Sequence, residues 1–369
     1  MKRFVFCFFI TLISFIGFTK DVSAQGVESQ VKEGRVIEIL EAGKKSFLDE
    51  LVDFQVLKIE VTKGDEESKS IEIENSAIGL GMVDIRYQKY QVDDQLKILT
   101  QQDIEGNIFY SIEGKVKRRG LLTLTFIFIA VVLAVGKLWG ALSLAGLFIS
   151  FLVIFKLILP LIIKGVNPVL VAILGSLIII PSTFYISHGF NKKTHVGVIS
   201  TFISLIITGL LAVYFVDATH LTGFASEEAG FLQVERQGMI DIRGLLLAGI
   251  IIGTLGILDD VTIGQASTVR QLKKANPKMG WLDLFKKGMK VGRDHVSSMV
   301  NTLVLVYSGS SLPLLLLFFD SQKTFIDVLE FELIAEEIVR MLVGSIGLVL
   351  AAPMATILAA YLFSKDKDS

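Results

Sequence analysis

LLLAGIIIGTLGILDDVTIGQAST, Leu245 to Thr268, decides the fold. From Leu245 to Leu258 the run carries no charge, and then two aspartates, Asp259 and Asp260, follow side by side. A helix needs about twenty apolar residues to cross a hydrocarbon core, and this stretch is the right length. Similar runs lie at 121–136, 138–159, 168–187, 196–216, 296–319 and 336–363, so with 244–262 the sequence predicts about seven spans. The second run is blurred by Lys156, Pro160 and Lys164, which predict a kink near Ile158 to Pro160.

Composition agrees. Hydrophobic residues make up 52% of the 369 and charged residues 20%, and mean hydropathy is +0.62, whereas soluble domains carry about a quarter charged residues. The average hides a division between a polar segment, 25–119, and an apolar one, 120–363, followed by a short tail, 364–369. Ahead of both, Lys2 and Arg3, an apolar core from Phe4 to Phe18 and the small-residue triplet Val22-Ser23-Ala24 read as a secretory signal, 1–24, or as an uncleaved anchor. The only cysteine, Cys7, lies within it, which leaves no disulfide or thiolate chemistry for a mature chain.

Within 25–119, GRVIEIL, FQVLKIEV, KSIEIEN, VDIRYQKY, DQLKIL and IFYSIEGKV alternate apolar and polar residues, with turn-forming stretches such as KGDEESK between several of them. They predict a small all-β domain, barrel or sandwich-like. Scattered acids and lysines at alternate positions read as the wet face of a sheet, or as a surface that binds a protein partner.

Basic residues orient the chain. The loop 263–295 carries Arg270, Lys273, Lys274, Lys278, Lys286, Lys287, Lys290 and Arg293, and Lys192, Lys193, Lys365 and Lys367 mark the 188–195 loop and the tail. The 320–337 loop is acidic. This places 25–119 outside and the C-terminus in the cytoplasm, against the local charge of Lys115, Lys117, Arg118 and Arg119. At roughly 100° per residue, Trp281, Leu282, Leu284, Phe285, Met289 and Val291 share one face of a helix and the lysines take the other. Such a helix suits an anionic lipid surface at 281–295, or packing on the protein's own helix ends.

On a helix, Gly249, Gly253, Gly256, Asp260 and Gly264 fall on one stripe, where small residues let another helix approach and where Asp260 is expected to face protein. Asp259 is turned away, beside Ile252, Leu255 and Thr262. Asn301, Thr302 and Ser308 of the following span are candidate polar partners, and His188, His195, Arg293, Asp294 and His295 are a candidate inner gate. Two readings stand. Either these groups bind a proton, cation or polar solute on a transport path, as intramembrane ionisable residues often do, with Asp260 the central ligand, Asn301 its hydrogen-bonding partner and Asp259 and His295 at the inner mouth, or Asp260 pairs locally with Arg293 or a helix-end donor and fixes a helical hairpin. Asp217 and His220, near Glu227 and Glu228, either cap an outer vestibule or form a solvated loop. The histidines and Asp259 lack the close spacing of a metal motif. No P-loop, dinucleotide fingerprint, nucleophile elbow or H-E-x-x-H occurs, so no catalytic residue, cofactor or nucleic-acid partner is indicated.

Five blocks, KGVNPVLVAILGS, ISHGFNKKTHVGVISTFISLIITGLLA, LTGFASEEAGFLQ, LAGIIIGTLGILDDVTIGQASTVRQLKKANP and GRDHVSSMVNTLVLVYSGSSLPLLLLF, resemble those of the YibE/F family of bacterial membrane proteins. The resemblance covers most of 120–363. It implies a multi-pass protein of the bacterial cytoplasmic membrane and brings no assigned catalytic or binding residues. The expectation is therefore a polytopic α-helical membrane protein with an N-terminal exported small all-β domain. Its expected role is passage of a small ion or polar solute, or else a non-transporting envelope scaffold.

Overall fold

A computed structural model describes residues 30–47, 50–64, 68–76, 78–79, 82–83, 87–102, 108–319 and 324–365. The signal or anchor segment, Asp320 and the last four residues of the tail lie outside these. Two compact units meet in sequence at Val131 and Val132.

In the first unit, β1 (Gln30–Phe47), β2 (Glu50–Lys63), β3 (Ser70–Ser76), β6 (Gln95–Gln102) and β7 (Ile108–Lys115) form an antiparallel sheet in the order β3-β2-β1-β6-β7. β4 (Ile78–Gly79) and β5 (Met82–Val83) pair only with each other. Alternation puts Val36, Leu57, Ile59, Ile73, Leu96 and Ile98 on one buried face. The expected barrel or sandwich is a single curled sheet whose edges, β3 and β7, approach without hydrogen-bonding. Of VDIRYQKY, Val83 ends β5 and Tyr87 to Tyr90 are not strand, while 84–86 lie outside the described residues. Gln55 takes the Tyr90 backbone instead, accepting from its N–H at 2.8 Å and donating to its carbonyl at 3.1 Å, which leaves the Tyr90 ring in the core.

Leu57 is fully buried, so Leu57→Ala is expected to cost about 2–5 kcal/mol. Faster limited proteolysis of the β unit checks this, and unchanged cleavage would contradict it. Asp94 adds a pH dependence. Burial pushes its carboxyl up, but the Lys115 ammonium at 2.6 Å and the Gln91 N–H at 2.8 Å outweigh burial and hold it below the usual value of 3.8. A carboxyl lowered in the fold stabilises above its unfolded value, and that contribution disappears as pH falls through the folded one. Asp94→Asn is therefore expected to lower stability at neutral pH, with the gap to wild type closing below pH 3.8. Melting curves against pH read it directly.

Asparagine, serine and aspartate caps start several helices of the second unit. Asn167, Asn191, Ser226 and Asp241 accept the N–H groups of Leu170, Thr194, Ala229 and Gly244. The helices are α1 (Arg118–Val153), α2 (Leu159–Ile163), α3 (Pro168–His188), α4 (Lys192–Ala218), α5 (Glu227–Glu235), α6 (Ile242–Ala275), α7 (Trp281–Ser310), α8 (Leu312–Phe319), α9 (Phe325–Leu329) and α10 (Glu332–Ser364). α1 enters from the first unit and is not continuous. Lys137, at φ 48° and ψ −124°, breaks it. A Cβ on Gly140 would lie 3.2 Å from the carbonyl carbon of Val132, whereas eight residues of straight helix span about 12 Å, so the chain turns sharply there. A π-helical turn, Ile154–Ile158, precedes α2 and Pro160, where the sequence predicts a kink.

Among the described residues five helices are long and apolar enough to cross a membrane. They become six if α7 and α8, bent by 68° at Ser311, count as one broken span. This is fewer than seven because Arg118–Ile163 passes as one length of 46 residues.

α4, α6 and α10 pack on one another, with α3 against α6 and α4, and α7 against α10 and α6. Hydroxyls and one amide join the central three. Thr201 and Thr262 meet at 2.7 Å, and Thr356 donates to Gln265 Oε1 at 3.0 Å. The close-approach glycines are not those of the α6 stripe. Gly347 packs against the Thr208 side chain, Gly288 against Thr356 and Val269, and Gly292 against Gln265. A Cβ on Gly249, Gly253 or Gly256 would meet nothing within 4 Å, because that face of α6 is left uncovered by its neighbours, while a Cβ on Gly264 would lie 3.7 Å from the His295 ring.

Candidate functional site

The uncovered side of α6 borders a half-open cavity of about 340 Å³. Three helical segments line it: α1 beyond Lys137, α3 and α6. Ser143, Gly146 and Ser150 come from the first, Thr183 and Ser187 from the second, and Ile252, Leu255, Gly256 and Asp259 from the third. Gly146 lets the first two approach, since a Cβ there would sit 3.3 Å from Ser187 Oγ. Ser150 donates to the Gly146 carbonyl at 3.2 Å and Thr183 to that of Ile179 at 2.9 Å. Their hydroxyl protons are thus spent on their own helices, and their oxygen lone pairs remain to accept or coordinate.

Among the described residues Asp259 is the one charged group in the lining. It is partly buried, and no donor or cation among the described residues bonds to its carboxylate. The neighbouring charge of Asp260 acts on it, and Asp260 also acts on His188. As the sequence predicts, the two aspartates occupy different surroundings, and Ile252 and Leu255 are the companions of Asp259. Asp260, expected to face protein, is exposed on the open stripe.

The other candidate residues scatter. Asn301 and Thr302 are exposed, because α7 turns Gly288, Gly292 and Leu303 inward and these two outward. The Thr302 hydroxyl bonds its own helix at Ser298, 3.0 Å away. Ser308 is half-buried near the bend. Of the expected gate, His188 lies edge-on to Phe184 with Asp260 in electrostatic range, and His295 touches α6 at Gly264. His195 bonds the Tyr185 hydroxyl at 2.7 Å, and Arg293 and Asp294 are exposed. Among the described residues no three His, Cys, Asp or Glu side chains come together to hold a metal.

Sequence reasoning missed the hydroxyl wall. The signal was present in the spacing of Ser143, Gly146 and Ser150, and of Thr183 and Ser187, each set falling on one helix face. It also missed Lys273, which is buried and donates to the carbonyls of Pro277 at 2.7 Å and Met279 at 3.2 Å. That lysine closes the α6–α7 turn. The apolar face expected from Trp281 to Val291 is divided as well. Leu284 is buried against the bundle, while Trp281, Leu282 and Val291 are exposed.

Long apolar helices in one unit and an all-β sheet in the other mark the class of a membrane protein with an N-terminal β unit. Within that class, the chain belongs to the YibE/F-like protein family, whose model matches residues 124–365. No curated protein and no solved structure matches it.

Proposed function

We propose that the helical unit carries a small cation, proton or polar solute through a membrane-embedded cleft in which Asp259 is the central ligand. The observation that supports this reading is an acid with no counter-cation among the described residues, lining a cavity of about 340 Å³ among hydroxyl oxygens. Insertion scales put an aspartate at mid-membrane about 2.5–3.5 kcal/mol uphill, and such residues persist where they face a cavity or a path. Ser143, Ser150, Thr183 and Ser187 supply neutral oxygens, while Asp260 and His188, each next in sequence to a lining residue, act on the site through their charge. Asn301 takes no part in this cleft.

Splitting Arg118–Ile163 at Lys137 and counting α7 with α8 as one span restores seven crossings. The basic ends of α3, α4, α6 and α7 then lie in the cytoplasm of a bacterial cell and the β unit lies outside its membrane. In this arrangement the lysines of 281–295, beside exposed Trp281 and Leu282, meet anionic lipid. One observation favours the scaffold as a second reading: Ile108 and Phe109, on edge strand β7, are 51% and 57% exposed, an edge that suits a protein partner.

A thermal-shift screen of purified protein against cations, pH steps and small polar metabolites tests the transport reading. A ligand at a hundred times its Kd stabilises by about 2.7 kcal/mol. The shift should vanish in Asp259→Asn and persist, weakened, in Asp260→Asn. A wild type that responds to none of these, or an Asp259→Asn protein that responds equally, would sink the reading.

A further inference from the structure

A second cavity, of about 660 Å³, opens at the opposite end of the bundle, where the start of α3, the end of α4 and the start of α6 converge. It shares no residue with the Asp259 cleft. Its wall is apolar, formed by Val169, Leu210, Val213 and Leu247. Leu210 is 67% and Val213 48% exposed, so that wall runs on to the outward surface of α4. Its rim is charged with both signs: Arg243 donates from Nη2 to Asp217 Oδ1 at 2.9 Å, and Asp241 stands beside them, one oxygen taken by the Gly244 N–H. Tyr214, 65% exposed, lies between rim and wall, the position tyrosine takes at a membrane–water boundary.

We infer that this cavity is a binding site for one phospholipid whose headgroup carries both a phosphate and a primary ammonium. The inference rests on the membrane reading of the helical unit and not on the Asp259 cleft. Asp217 and Leu210 are seven positions apart on α4, about 10 Å of helix, which matches the step from a headgroup to the upper part of an acyl chain. The chain lies along Leu210 and Val213. The phosphate meets the guanidinium N–H groups of Arg243 that Asp217 leaves unused. The ammonium, with its N–H donors, reaches the free oxygens of Asp217 and Asp241. The zwitterion thus lies antiparallel to the Arg243–Asp217 pair, plus against minus at both ends.

Charge and donor chemistry exclude the two obvious competitors. A choline headgroup has no N–H to give the carboxylates. A glycerol headgroup adds a net negative charge to a rim with two carboxylates and one guanidinium.

The test uses the full chain in detergent, with phosphatidylethanolamine, phosphatidylcholine and phosphatidylglycerol of matched acyl chains, read by native mass spectrometry and thermal shift. Soluble phosphoethanolamine is the arm that separates headgroup from lipid. The ethanolamine lipid is expected to be retained about tenfold better than the choline lipid, the worth of one charge-assisted hydrogen bond, while phosphoethanolamine alone gives no shift. Asp217→Asn, at a side chain 77% exposed and so tolerant of change, should reduce the preference for ethanolamine over choline several-fold, leaving the share that Asp241 carries. Arg243→Gln should weaken all phosphate-bearing lipids together. Equal retention of the three lipids by wild type, an ethanolamine preference undiminished by Asp217→Asn, or a shift with phosphoethanolamine alone would overturn the inference.

Discussion

Asp259→Asn is expected to cut solute flux in proteoliposomes by on the order of ten- to a hundredfold, the loss of a charge-assisted contact of about 1.5–3 kcal/mol. The fold should survive, because asparagine has the same shape and no donor among the described residues depends on the carboxylate. Relieving a partly desolvated charge should leave the melting temperature equal or slightly raised. Asp260→Asn is expected to do less, since Asp260 is exposed on the open stripe and acts at a distance through its charge on His188. Equal flux in wild type and Asp259→Asn would remove Asp259 from any path. A greater loss in Asp260→Asn would return the central role to the residue that the glycine stripe first suggested.

Gly347→Leu is expected to abolish the folded protein. Gly347 of α10 faces Thr208 of α4, which is fully buried, and a Cβ at 347 would overlap its hydroxyl and lie 3.1 Å from its Cβ and Cγ2. Threonine is short, so the helices themselves must separate. Overpacking of this kind costs about 1–3 kcal/mol for a small addition and more for a large one, which puts Gly347→Ala in the measurable range. Thr208→Ala in the same chain should recover part of that loss, because it removes the oxygen and Cγ2 but leaves the Cβ in place. Size-exclusion profiles and melting temperatures of the single and double variants provide the comparison. A monodisperse Gly347→Leu protein with wild-type stability would show that α4 and α10 do not pack this way.

The apolar runs made the helices legible because length and hydropathy act locally, and the break between the first two runs falls at Lys137 as the gap at 137 implies. Periodicity also separated Asp259 from Asp260. It could not say which face of α6 would be covered, because that depends on where α3, α4, α7 and α10 come to lie. The glycine stripe therefore looked like a packing seam and is an open face, while the close approaches fall at Gly347 of α10 and at Gly288 and Gly292, four residues apart on α7. Asn301 was misread for the same reason: a polar residue on a span identifies a face without naming its neighbour. In the β unit, alternation found five strands, but Tyr87 to Tyr90 of VDIRYQKY show its limit, since the Gln55 amide, distant in sequence, claims the Tyr90 backbone.

The central claim is that water and a small solute reach Asp259 within the membrane. Because Cys7 is the only native cysteine, single cysteines can be placed at Ser150 and Ser187 in a Cys7→Ser background and challenged in intact membranes with a charged, membrane-impermeant thiol reagent. Modification at both positions, absent from a lipid-facing control at Leu177, which is 51% exposed, and slowed by any ligand that stabilises the protein, is the expected result. Cysteines at Ser150 and Ser187 as unreactive as the one at Leu177 would mean a dry cavity, and would contradict the account.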